Sequence, residues 1–351
     1  MSPPPDAASL EPDASRSGAS TGPARRGSPL RSLASRLGWG LAFGFLVMLA
    51  LLLLGDLRQV GQALGKFRWA YFPAAIGLTL FNYTLRFIKF HFYLGQIGVR
   101  DFPARRSARL FVAGFPLAVT PAKAGEALKA VWLQRAAGLP VAQGVAVVVA
   151  ERLSDGLAVL ALAALGVIAY PQYWPAFLAL LVLLGGLVLL LQARPLAHGA
   201  LDVGERLPLI GKMIPALRQF YEGGYRLFRP GPAFMAVALG AVSWLGEGIG
   251  FYLILLGLGL PAGWELASLA VFILSFSTLV GAVSSLPGGL GAAEASIAGM
   301  LVLLGNVPAE TAAAATLLIR FATLWLGVAL GLLVWAFTPS LFRLESTPES
   351  A

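Results

Sequence analysis

Three apolar blocks limit what this chain can fold into before any motif is considered: GWGLAFGFLVMLALLLL (38–54), GVAVVVAERLSDGLAVLALAALGV (144–167) and FLALLVLLGGLVLLL (177–191). A helix needs roughly 20 apolar residues to cross the hydrocarbon core of a bilayer, and runs of this kind read as transmembrane helices. Composition agrees: 58% of residues are hydrophobic and 12% charged, where a soluble domain carries roughly 25% charge. The fold class is therefore an all-α polytopic membrane protein. The absence of cysteine excludes disulfides, thiol catalysis and thiolate metal sites, and two histidines, His91 and His198, are too few for a usual zinc centre. No metal and no cofactor are expected. The net charge of +9 is read as topological, not as a nucleic-acid signal.

Residues 1–37 are rich in Pro, Ser, Ala and Arg and read as a disordered tail, as does the short end 338–351. The transmembrane domain is expected over 38–337. Six full spans are expected near 38–54, 69–92, 144–168, 174–192, 232–258 and 308–337, with two broken-helix, re-entrant hairpins at 107–136 and 264–305. Residues 193–231 read as a polar surface linker, in part amphipathic helix. With the N-terminus inside, the cytoplasmic segments hold 21 of the 26 Lys and Arg, and the outer loop 55–68 holds three. This bias places both termini in the cytoplasm of a cell-membrane protein.

An internal repeat organises the spans. Glu126 and Glu294, Pro140 and Pro308, and Arg152 and Arg320 are each 168 positions apart. Each copy reads Pro, small residues, Gly, Glu, a helix, a Gly/Pro turn, then a long span bearing an Arg. With the orientation above, the units 69–168 and 232–337 run in opposite senses. Inverted repeats with broken helices are a transporter construction, with the site near the midplane between repeats.

The breaks supply the candidate site. Thr120 and Pro121 read as an N-cap and first helical residue, followed by Lys123, Gly125 and Glu126. Pro287, Gly288, Gly289, Gly291 and Glu294 make the second break. Free N–H groups at a helix start favour an anion such as phosphate. Non-helical backbone at membrane depth persists only inside protein or beside a wet cavity, so both breaks should line one interior. Glu151, Arg152, Asp155, Glu247 and Arg320 lie within spans, and each is either a substrate-path residue or half of a static ion pair. Glu151 and Asp155 share one helix face, and Arg152 points about 100° away from Glu151. Arg86 and Lys89 are expected to snorkel to the cytoplasmic interface. His91, Tyr93, Trp69, Tyr71, Tyr170, Tyr173 and Trp174 read as an interfacial belt.

These stretches resemble the lysylphosphatidylglycerol synthase transmembrane region, the flippase-like integral membrane family. The family pattern falls on Pro121, Gly125 and Glu126; on Glu151, Arg152 and Asp155; on Pro287, Gly288, Gly289, Gly291 and Glu294; and on Arg320. Lys123 and Lys129 stand where an Arg would be expected near the Glu. In bifunctional members, the resemblance implies, this region moves an aminoacylated phospholipid between leaflets and a separate soluble domain makes it. The short tail to 351 leads us to expect no synthase domain here, and aminoacyl transfer is not carried over. The expected function is translocation of a phospholipid or lipid-linked headgroup, anionic or zwitterionic. The alternatives are an intramembrane transferase with Glu151 or Asp155 as base and a scaffold of static ion pairs.

Overall fold

The computed structural model describes residues 29–54, 56–120, 125–169, 171–207 and 210–338. Pro121, Lys123 and Tyr170 lie outside the described residues, as do most of the two tails. Among the described residues the secondary structure is helical, with no strand. The first half comprises α1 (Pro29–Leu54), α2 (Leu57–Gly65), α3 (Tyr71–Gln96), α4 (Ala104–Ala113), α5 (Glu126–Ala137), α6 (Val141–Ala169) and α7 (Trp174–Gln192). The second comprises α8 (Arg194–Glu205), α9 (Ile214–Leu227), α10 (Pro230–Gly257), α11 (Trp264–Val283), α12 (Ala292–Gly305), α13 (Ala309–Arg320) and α14 (Leu326–Phe337).

Five helical stretches are long and apolar enough to cross a membrane: 171–192, 230–257, 264–283, 287–305 and 309–337. Helices α3 and α6, with 26 and 29 residues, are also long enough, though α3 carries Arg86 and Lys89 and α6 carries Glu151, Arg152 and Asp155. The expected tally of six full spans and two hairpins is therefore matched only coarsely. Helix α1 begins at Pro29, earlier than the expected 38, and α2 occupies what read as an outer loop. The stretch 193–231 is more ordered than a linker: α9 packs on α6 and buries Ile214, Tyr221 and Leu227.

Helix ends follow local chemistry. Gly138 (φ 66°) and Asn306 (φ 48°) are left-handed C-caps that end α5 and α12. Pro140 and Pro308 then precede the first residues of α6 and α13. All these landmarks keep the 168-residue offset.

Non-helical backbone interrupts the chain next to both expected breaks; of the first, read at 120–126, residues 121–124 lie outside the described residues. A 3-10 turn at Phe115–Val119 interrupts α4–α5, and a turn at Pro287–Gly289 interrupts α11–α12. Gly289 sits at φ 68°, and a Cβ there would meet the Gly281 Cα at 2.9 Å, so this crossing admits only glycine. The two turns touch each other. Val119 and Leu290 share one buried cluster with Val47 of α1 and Val328 of α14. Helix α1 runs close over this junction: a Cβ on Gly40 would fall 2.0 Å from the Val119 carbonyl oxygen. Helix α6 lies at the centre, against α5, α7, α9, α10 and α11, while α3 packs along α10.

Candidate functional site

Where the two breaks meet α3, α6 and α10, the bundle forms a partly open cavity of about 570 Å³. Its wall takes Leu117 and Ala118 from the first break, Gly288 and Gly289 from the second, and Glu126, Arg152, Asp155, Glu247 and Arg320 from the helices. Most of the remaining lining is apolar.

Glu126 opens α5, and its carboxylate takes two bonds from Arg152 of α6, Nε at 2.9 Å and Nη2 at 2.8 Å. Just before it, Thr120 Oγ1 accepts from the Gly125 N–H at 3.0 Å and donates to the Leu117 carbonyl. Thr120 is therefore not the expected N-cap of this helix, which begins at Glu126 with Gly125 as its N-cap. Glu294 occupies the third residue of α12, fully buried, and accepts from the Gly291 N–H at 2.7 Å. Its other oxygen lies 2.5 Å from Arg320 Nε, and Arg320 Nη2 donates to the Gly288 carbonyl. Both Glu–Arg pairs join residues 26 apart in sequence, one pair in each half.

Asp155, one turn after Glu151, receives two cations from α3: Lys89, in contact with Oδ1, and Arg86, 3.2 Å from Oδ2. Glu151 holds Lys129 at 2.6 Å, and that ammonium also lies over the Phe90 ring at 4.0 Å. Arg86 stacks over Trp244 of α10 at 5.5 Å. Glu247 lines the cavity at 5% exposure and makes neither ion pair nor hydrogen bond among the described residues. No three His, Asp or Glu among the described residues cluster as a metal site.

Of the sequence candidates, then, Glu126, Glu151, Arg152, Asp155, Glu247, Gly288, Gly289 and Arg320 line one cavity. Thr120, Gly125, Pro287, Gly291 and Glu294 support its wall. Glu151 and Asp155 are held by cations, which leaves neither as a free base.

Two expectations need correction. Arg86 and Lys89 do not snorkel: Lys89 is 1% exposed and both turn inward to Asp155. Tyr93 is fully buried in the core, not in an interfacial belt, whereas Trp69 and Trp174 are exposed as a belt requires. The signal for both was on α3. Thr79, Asn82, Arg86, Lys89 and Tyr93 recur every three or four residues, a polar stripe on an apolar helix. Tyr83 was also missed. It lines the cavity and donates to the Thr323 carbonyl at 2.7 Å. That carbonyl belongs to the π-helical turn Phe321–Trp325, which widens the helix directly after Arg320.

The family model described as lysylphosphatidylglycerol synthase transmembrane region matches residues 39–331. A protein described as "UPF0104 membrane protein" from Methanothermobacter thermautotrophicus is 26% identical over 314 residues, covering 83% of this chain and 90% of its own. No solved structure matches the chain.

Proposed function

The chain belongs to the lysylphosphatidylglycerol synthase transmembrane-region family, and from that premise we propose that it translocates a phospholipid or lipid-linked headgroup between leaflets. The observation that carries the reading is the charged cavity of about 570 Å³ at the meeting of two broken hairpins. A volume of that order suits a headgroup, since small-molecule pockets span roughly 300–1,000 Å³. Charged groups are placed in apolar helices at a cost of about 3 kcal/mol each on insertion scales, and they mark substrate paths by default.

The inverted repeat belongs to this proposal. The 168-residue offset is kept by the Glu–Arg pairs, the left-handed caps and the helix starts after Pro140 and Pro308, which supports two related units around one axis. So does the orientation with cytoplasmic termini in a cell membrane, which rests on the Lys/Arg bias. In this reading the phosphate of the headgroup enters between Arg86 and the half-exposed Arg152. The helix starts already carry Glu126 and Glu294, each locked to its arginine, and these pairs hold the two breaks in register.

A scaffold would account for the four paired carboxylates but not for a cavity wall bearing an unmatched one. The deciding experiment is leaflet-resolved flipping of fluorescent phospholipids in proteoliposomes. Wild type should flip and Glu294→Gln should lose at least tenfold in rate; equal behaviour of wild type, variant and empty vesicles overturns the reading.

A further inference from the structure

The charges around the cavity do not cancel pair by pair. Arg152, Lys129 and Arg320 each have one carboxylate, but Arg86 and Lys89 converge on Asp155 alone. Among the described residues one cation is therefore in surplus, on the α3 wall. The balancing anion is Glu247 of α10, buried, facing the cavity and without a contact of its own among the described residues. The charges acting on it through space are Arg86 from α3, Arg320 from α13 and, with opposite sign, Asp155 from α6. Tyr83 of α3 faces the same space, and α11 contributes only the uncharged Ser277 and Thr278 among its polar groups.

With Glu247 ionised, the paired groups and Glu247 sum to zero. With Glu247 neutral, the same set carries one positive charge. A phosphate diester entering against Arg86 competes with Glu247 for that single surplus cation, and two anions sharing it repel. Burial sharpens the conflict, because Glu247 is 5% exposed and an unmatched ion so placed is poorly hydrated. Neutralising Glu247 removes the conflict and leaves the site with the one positive charge the diester needs.

We propose that Glu247 is the proton-binding site of the cavity, taking up one proton from solvent as a phosphate diester enters beside Arg86 and releasing it as the diester leaves. The step makes and breaks only the carboxyl O–H bond, and the summed charge of these described groups and the diester stays at zero. The inference rests on the translocator reading for its phosphate-bearing cargo, and adds that each cargo movement is tied to a proton.

The test is calorimetric titration of the full chain in micelles with dihexanoyl phosphatidylglycerol, in two buffers of equal pH but different ionisation heat. Glycerophosphoglycerol, the same diester without tails, is the second titrant. Both diesters stay ionised, so any proton taken up goes to the protein. Wild type should take up about one proton per diester bound, and its affinity should fall up to tenfold per pH unit where Glu247 is ionised in the empty cavity. Glu247→Gln should bind with no proton uptake and no such pH dependence, and Glu247→Asp should restore the uptake. Binding of both titrants places recognition in the headgroup; binding of the lipid alone adds the acyl chains, and either supports the site if the proton follows. Binding without proton uptake in wild type, uptake that survives in Glu247→Gln, or no binding of either titrant overturns the proposal. Flipping in proteoliposomes separates these failures from failure of the translocator reading, since transport can persist without the proton.

Discussion

The two Glu–Arg pairs have the same chemistry and spacing but different surroundings, which predicts unequal losses when each arginine is removed. In the second half, Arg320 and Glu294 have side chains 13% and 1% exposed. Replacing Arg320 by Met strands a carboxylate with no route to water and deletes the bond to the Gly288 carbonyl. Breaking a buried pair by removing one partner costs about 3–5 kcal/mol, and the bond from the charged guanidinium to the carbonyl is lost with it. In the first half the Arg152 side chain is 47% exposed and Glu126 is 10% exposed, and both line the cavity, which Glu294 does not. Solvent screening there reduces the loss for Arg152→Met to about 1 kcal/mol. The two variants should thus differ by at least about 2 kcal/mol, roughly 30-fold in the folding equilibrium. Reversible unfolding in mixed micelles, followed by tryptophan fluorescence, measures both. The double change Arg320→Met with Glu294→Gln should recover most of the loss, because it removes the stranded charge along with its partner. Equal losses for Arg152→Met and Arg320→Met, or no recovery in the double variant, would refute the argument from burial.

Three further outcomes follow from the same geometry. Asp155→Asn leaves Arg86 and Lys89 facing each other in the core, so it should destabilise by about 3 kcal/mol or more; Lys89→Met, which leaves Arg86 on the carboxylate, should cost clearly less in the same unfolding assay. Gly289→Ala must hold φ 68° and push against the Gly281 backbone, for an expected loss of about 2–3 kcal/mol and a lower Tm. Outside the spans, hydrogen bonds from Arg194 hold the Glu222 carboxyl below its ordinary value of 4.5. That contribution to the α8–α9 contact is fully present above pH 4.5 and is lost as acid titrates the carboxylate below it. Faster amide exchange over 194–227 at low pH, abolished as a difference in Glu222→Gln, is the expected reading.

Much of the site could be read from residue order because it is written in local signals. Prolines and glycines mark helix breaks near Pro121 and at 287–291, since they act on their own backbone, although the described first break is the turn at Phe115–Val119. Left-handed caps at Gly138 and Asn306 belong to the same class. Charges inside apolar runs are equally visible, because lipid leaves them few places to go. What the order of residues left open was partner choice. Glu126 and Glu294 read as substrate ligands, yet each is bound to an arginine 26 residues away.

Sequence alone determined that the chain is a bundle of membrane helices interrupted by proline- and glycine-rich breaks, because hydropathy and backbone stiffness are properties of short segments. Only the tertiary structure decided which charges meet. Arg86 and Lys89 sit near the end of a span and could have reached water; the packing of α3 against α10 and α6 turns them onto Asp155 instead. That choice leaves one cation over and Glu247 unmatched. The balance of charge in a buried cavity depends on distances between distant segments, and no local pattern encodes those.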